Sequence, residues 1–289
     1  MSAQIALLPG NRLHLNHGPI DLVISADGEA AQITRAYSQA AAIFPNILPE
    51  LVAQLPLLRA PLGGAPNAIK PIVNRPVARR MVEATWPYRE TFITPMAAVA
   101  GAVAEYVLGA MVEVADLRRA IVNNGGDISL HLAPGERVRA GVAGDLTLPR
   151  LDATIEIGSA DPVRGLATSG WRGRSQSLGI ADAVTVLAHS AAPADAAATM
   201  IANAVNVDDP AIRRLPASEV RDDSDLGDIP VTVDVGVLPP DKICRALENG
   251  ARRAAALKEQ GLIVAAYLQL QGQMLVVGPA GRIAAGEAA

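Results

Sequence analysis

Sulfur, aromatic rings and clustered positive charge are all scarce in this chain. Cys244 is its single cysteine, which excludes an internal disulfide and fits a reducing compartment. Aromatic residues make up only 3% of the 289 residues, too few for a base-stacking platform. The net charge is −4 and basic residues occur only in short groups, so the electrostatic footprint of a nucleic-acid binder is missing. The four histidines, His14, His17, His131 and His189, are scattered and read as ordinary strand or loop residues. No Gly-x-Gly-x-x-Gly turn follows a strand, which argues against a Rossmann domain. The first ten residues have no positive region, long apolar segment or cleavage site, so a cytoplasmic protein with no membrane association is expected. The most span-like run, Met96 to Ala115, contains Glu105 and Glu113 and reads as the buried helix of a soluble protein.

Half of the residues are hydrophobic, enough to bury a large core in one domain over 1–289, or in two intertwined lobes. Alternating Leu13, Leu15, Ile20, Leu22 and Ile24 predict a β-hairpin across His17-Gly-Pro19. A helix is expected from Ala30 to about Phe44, then a long irregular segment from Ala60 to Pro95, rich in proline and glycine. A second helix is expected from Thr94-Pro95 to about Arg119. Short strands follow at 128–132, 137–143, 153–157 and 165–168, then an apolar strand over 181–188 and a helix over 193–203. The stretch from Arg214 to Asp228 reads as a solvated acidic loop, and the chain closes with a strand, a helix over 240–260 carrying Cys244 as a packed thiol, and a hairpin. The order predicts an α+β fold of two similar α/β halves with mainly antiparallel sheets covered by helices.

Three segments carry chemistry. Asn123-Asn-Gly-Gly-Asp127 ends a strand, and Gly125 and Gly126 let the backbone approach a ligand while Asp127 supplies charge. Thr168-Ser-Gly170 is a short segment with two hydroxyls beside a glycine. Asp195 and Thr199, spaced i, i+4 on a helix, put two hard oxygen donors on one face, a pairing suited to Mg²⁺ or Ca²⁺. Taken singly, each has a plainer reading: a hairpin turn, a small loop, and a helix-start aspartate.

Taken in order, the segments resemble the ApbE-like superfamily, whose members are flavin transferases that use Mg²⁺ to move FMN from FAD onto a protein threonine. Its Asn-x-Gly-Gly-Asp is similar to Asn123, Gly125, Gly126 and Asp127, its Thr-Ser-Gly to Thr168, Ser169 and Gly170, and its Ala-Asp-Ala-x-Ala-Thr to Ala194 through Thr199. Its Lys-Gly-x-Ala-x-Asp helix start corresponds to Ala100 through Glu105, keeping a glycine and an acid but not the lysine. Where transferases carry His-Ile-Ile-Asp-Pro, this chain reads Gly173 to Asp182 with no histidine. The pattern resembles a divergent branch without the export signal of the lipoprotein transferases.

The resemblance implies an ApbE-like, T-fold-like architecture and a Mg²⁺ held by Asp195 and Thr199, with a backbone carbonyl near Val99 and a phosphate. It implies that Asn123, Gly125, Gly126 and Asp127, with Thr168, Ser169, Gly170 and Arg172, hold FAD or another small phosphorylated ligand. Glu105 or Asp182 would then serve as base in place of the missing histidine. A transferase or hydrolase with a protein acceptor follows from this, and so does a non-catalytic flavin or nucleotide binder. An assembly role as a homo-oligomer, using the loop from Ala60 to Pro95, is the third reading.

Overall fold

The computed structural model describes residues 2–63, 69–142, 153–222, 224–279 and 283–285. Parts of the expected long loop (64–68) and of the acidic loop (Asp223) lie outside the described residues. The chain divides into two compact units, the first comprising 1–137, 158–167 and 189–196 and the second 138–157, 168–188 and 197–289.

In the first unit, β1 (Gln4–Leu8), β2 (Arg12–His17) and β3 (Ile20–Gly28) form an antiparallel meander. Alternation sends Leu13, Leu15 and His17, and Ile20, Leu22 and Ile24, to one buried face, as the period of two requires. Helix α1 (Ala30–Val52) covers that face with Ala36, Tyr37, Ala40, Phe44, Ile47 and Leu51. It runs on past Phe44, the expected end, through Pro45 and Pro49. Each proline removes a backbone donor, but burial of Ile47 and Leu51 beyond them holds the last turns in register.

A short helix α2 (Leu55–Leu58) precedes the segment expected to be irregular, and that segment contains the amphipathic α3 (Pro76–Thr85). The proline after Arg75 opens α3 rather than breaking structure, because the first helical position has no use for an amide donor. Val77, Ala78, Met81 and Val82 form its buried stripe. After 3-10 turns at Trp86–Tyr88 and Pro95–Ala98 comes α4 (Val99–Val114). The stretch Pro95–Val114 is long and apolar enough to cross a membrane by length and composition; here Gly101 through Ala104, Val107, Leu108 and Met111 are buried against neighbouring elements. The helix stops at Val114, short of the expected Arg119, because Leu117, Ala120, Val122 and Asn124 alternate inward as strand β4 (Leu117–Asn124). β4 pairs antiparallel with β3 and with β5 (Asp127–Leu132).

Strands β6 (Arg137–Val142) and β7 (Ala153–Gly158) lead to β8 (Gly165–Ser169), whose first residues pair with β5. In the second unit, β9 (Ala183–Ala188) is buried throughout. Helix α5 (Ala191–Ala204) starts in the first unit and ends in the second. β10 (Ile212–Pro216) and the short α6 (Ala217–Val220) take in the start of the expected acidic loop, up to Val220, and β10 pairs with β11 (Pro230–Val235). Helix α7 (Pro240–Glu259) leaves Cys244 exposed, so the expected packed thiol is corrected: the buried stripe runs through Ile243, Ala246 and Leu247 instead. β12 (Ala265–Leu270) pairs with β9 and with β13 (Gln273–Val277), while β14 (Ile283–Ala285) pairs with β7. The fold is α+β with antiparallel sheets, as the element order predicted.

Close approach fixes one helix contact. A Cβ on Gly101 in α4 would lie 2.4 Å from the carbonyl oxygen of Ala191, whereas one on Gly109 of the same helix meets nothing within 4 Å. Gly101→Ala is expected to cost about 2 kcal/mol or more in urea unfolding, the scale of overpacking a backbone contact. Gly109→Ala should instead stabilise by up to about 1 kcal/mol through helix propensity.

Candidate functional site

The Asn-Asn-Gly-Gly-Asp segment is the two-residue hairpin turn joining β4 to β5, with Asn124 opposite Asp127. Gly125 and Gly126 adopt φ of +64° and +113°, which glycine takes without strain. Asn123 locks the turn by accepting the Gly126 amide at 2.8 Å. Asn124 is buried, and its side-chain amide donates to the Ala100 carbonyl at 3.1 Å. That contact ties the hairpin to the first turn of α4. Sequence reasoning chose Asn123 and passed over Asn124, although the parity of Ala120 and Val122 points the latter inward.

Asp195 lies on the other side of that turn. Its carboxylate accepts the Gly101 amide at 3.0 Å and also the Ala100 amide, so it satisfies donors that the start of α4 leaves open. The favour is returned: Glu105 on α4 accepts the amide of Ala192 in the first turn of α5 at 3.2 Å. Each helix therefore caps the other where they meet.

Burial pushes the Asp195 carboxyl well above the usual carboxylate range, and the neighbouring Asp127 pushes it further, against the opposing pull of the Gly101 and Ala100 amides. Asp195 as a whole is half-buried; the enclosure is local to its carboxyl. Thr199 follows one turn later on α5 and is also half-buried. Among the described residues no group of three or more His, Cys, Asp or Glu side chains is placed to hold a metal ion. A cation here would rest on two carboxylates, with the rest of its shell from hydroxyl, carbonyl, water or ligand oxygens. Mg²⁺ takes that kind of partial protein shell, and it would relieve the repulsion that raises Asp195, so the donor set fits.

The other chosen residues belong to the second unit. Thr168 is exposed and shares a 2.8 Å hydrogen bond with Thr185. Gly170 is required by packing, since a Cβ there would lie 2.3 Å from the Asp182 carbonyl oxygen. Asp182 accepts from Arg172 at 2.8 Å, from the Trp171 indole at 3.2 Å and from the Gln271 amide at 2.5 Å. Arg172 also stacks over the Trp171 ring at 4.8 Å. The structure gives Glu105 and Asp182 structural partners and shows neither as a free base. Arg89 similarly covers the face of Trp86, at 5.1 Å.

The family described as AbpE bacteria matches residues 5–276. The chain belongs to that family. Among curated proteins it is 39% identical over 141 residues to a UPF0280 protein of Methanothrix thermoacetophila, a match covering 48% of this chain and 56% of the relative. A second UPF0280 protein, of Methanopyrus kandleri, is 40% identical over 149 residues, covering 51% of this chain and 56% of the relative. The chain thus spans about half the length of the curated relatives it matches. Among solved structures it is similar to the apo flavinyl transferase ApbE of Pseudomonas stutzeri, at 12% identity and a TM-score of 0.43, with 97% of this chain and 96% of that one covered. A mutant of the Vibrio cholerae flavin transferase ApbE gives 11% identity and a TM-score of 0.45, covering 93% of this chain and 97% of that one.

Capping and charge at Asp195 separate by substitution. Asp195→Asn keeps an acceptor for Gly101 and removes the repulsion with Asp127, so without metal it should be neutral or stabilising by about 1 kcal/mol at neutral pH. Asp195→Ala leaves the amide unpaired and should cost about 1–2 kcal/mol. Because the folded-state pKa is raised, the contribution of Asp195 to stability is present in acid and lost as pH rises through that value. The gap between Asp195→Asn and wild type should therefore narrow as pH falls, read by urea unfolding in the presence of EDTA.

Proposed function

We propose that this AbpE family member binds a divalent cation at Asp127 and Asp195 and uses it to hold a phosphorylated, flavin-type ligand. The observation that carries the reading is the Asp195 carboxyl, held by the Gly101 and Ala100 amides with the like charge of Asp127 beside it. A helix cap is served as well by Asn or Ser as by Asp, so capping alone does not call for a second carboxylate beside Asp195. When bound, the cation supplies charge to neutralise and polarise phosphate oxygens.

The chain's own residues do the positioning. The Ala100 and Gly101 amides fix one side of the Asp195 carboxylate, and Asn124 fixes the α4 turn that carries those amides. The space around Gly126 is open, which leaves the hairpin backbone free to approach a ligand.

The reaction class is transfer or hydrolysis at phosphorus. Phosphoryl chemistry leans on positioning and charge more than on proton transfer, which suits a site whose nearby Glu105 is occupied in capping. A protein acceptor, a homo-oligomeric assembly and a cytoplasmic setting belong to the same proposal. The second reading is flavin or nucleotide binding without turnover, favoured by the hydrogen bonds that hold Glu105 and Asp182.

Calorimetric titration with FAD, with and without Mg²⁺, followed by analysis of the sample for FMN and AMP, tests both. Mg²⁺-dependent binding that Asp195→Asn weakens at least about tenfold is expected, as loss of one carboxylate ligand implies. Product formation then marks an enzyme, and its absence marks a binder. FAD binding that ignores both Mg²⁺ and the substitution would contradict the proposal.

A further inference from the structure

A groove of about 460 Å³ opens in the first unit between α3 and the start of α5. Clefts of that size hold small molecules. Its charged and polar lining comprises Arg79, Arg80 and Glu83 from α3, Glu105 from α4, and Ser190 and the backbone at Ala192 from the start of α5.

Most of these groups are already committed. Arg80 pairs with Glu105 at 3.4 Å, donates to the Pro76 carbonyl at 3.2 Å and lies over the Tyr106 ring at 5.5 Å. Glu105 also accepts the Ala192 amide. Glu83 is paired with Lys70. With those pairs set aside, two side chains remain. Arg79 is exposed and its guanidinium makes no hydrogen bond or ion pair among the described residues, and the Ser190 hydroxyl makes none either. The groove therefore holds uncommitted donors and uncompensated positive charge, because its two carboxylates are already matched.

We propose that this groove binds a phosphoryl group of a small molecule, with Arg79 and Ser190 as its ligands. A guanidinium presents a planar fork that takes two oxygens at once. A carboxylate is used up by that fork. A phosphoryl group has a third oxygen left for the Ser190 hydroxyl, so the number of free donors favours a tetrahedral anion over a single planar carboxylate. None of the motif residues at the hairpin or on the inner face of α5 takes part, and the assignment stands without the cation at Asp127 and Asp195.

The test is calorimetric titration of the full chain with inorganic pyrophosphate at low ionic strength and in EDTA, with acetate as a single planar carboxylate for comparison. Keeping divalent metal out separates this site from the carboxylate pair, so Asp195→Asn should bind pyrophosphate like wild type. Saturable binding is expected, weakened about tenfold or more in Arg79→Gln, the scale of one lost charge-assisted contact. Ser190→Ala should weaken it several-fold. Both side chains reach solvent, and thermal unfolding of each variant checks that it is folded. Equal binding by wild type and Arg79→Gln, no pyrophosphate binding by wild type, or acetate binding as tight as pyrophosphate would each overturn the assignment.

Discussion

Two carboxylates exchanged between two helices set the geometry of the first unit. Asp195 on α5 accepts amides from the first turn of α4, and Glu105 on α4 accepts an amide from the first turn of α5. The start of a helix leaves four amides without partners inside it, and burial makes each of them costly. Helix α4 has no capping side chain of its own at this end, since the residue before it is Ala98. The crossing can form only because Gly101 lets the Ala191 carbonyl come close and because Gly165 gives room to Ser190, where a Cβ would lie 2.1 Å from backbone carbon. Glycine and carboxylate thus act together, one permitting the approach and the other satisfying what it buries.

That arrangement also creates a conflict. The residue best placed to cap α4 is held near Asp127 at the hairpin, so burial and a like charge both act against its ionised form. A structure selected only for stability would relieve this with one amide side chain. Local rules broken without evident structural gain are expected at functional sites, and the pair sits beside the open glycine turn, where a ligand has access. The same crossing orients the groove that contains Arg79, since Glu105 holds Arg80 on one side and α5 on the other.

Much of this was legible in the sequence, and the failures have physical causes. Strands were read well because alternation at Leu13, Leu15, Leu22 and Ile24 is a direct record of a half-buried sheet. Proline richness between Ala60 and Pro95 was read as irregular chain, yet Pro76 begins α3, and α1 runs on past Phe44 with Pro45 and Pro49 inside it. At the site, the hairpin and the i, i+4 pair on α5 were visible as short patterns. The mutual capping was not, because Asp195 meets Gly101 and Glu105 meets Ala192 across roughly ninety residues of chain, and no local spacing encodes such a contact. Glu105 and Asp182 were picked as acids near motifs. Only three-dimensional structure shows that their oxygens already have donors.

The mutual caps make a quantitative claim, since two contacts that lock one crossing cannot be independent. A double-mutant cycle of Asp195→Ala and Glu105→Ala, measured by urea unfolding with metal excluded, tests it most directly. The account predicts a coupling energy of about 0.5 kcal/mol or more, because loss of either cap loosens the approach on which the other depends. Strictly additive losses would show two unrelated hydrogen bonds and would contradict it.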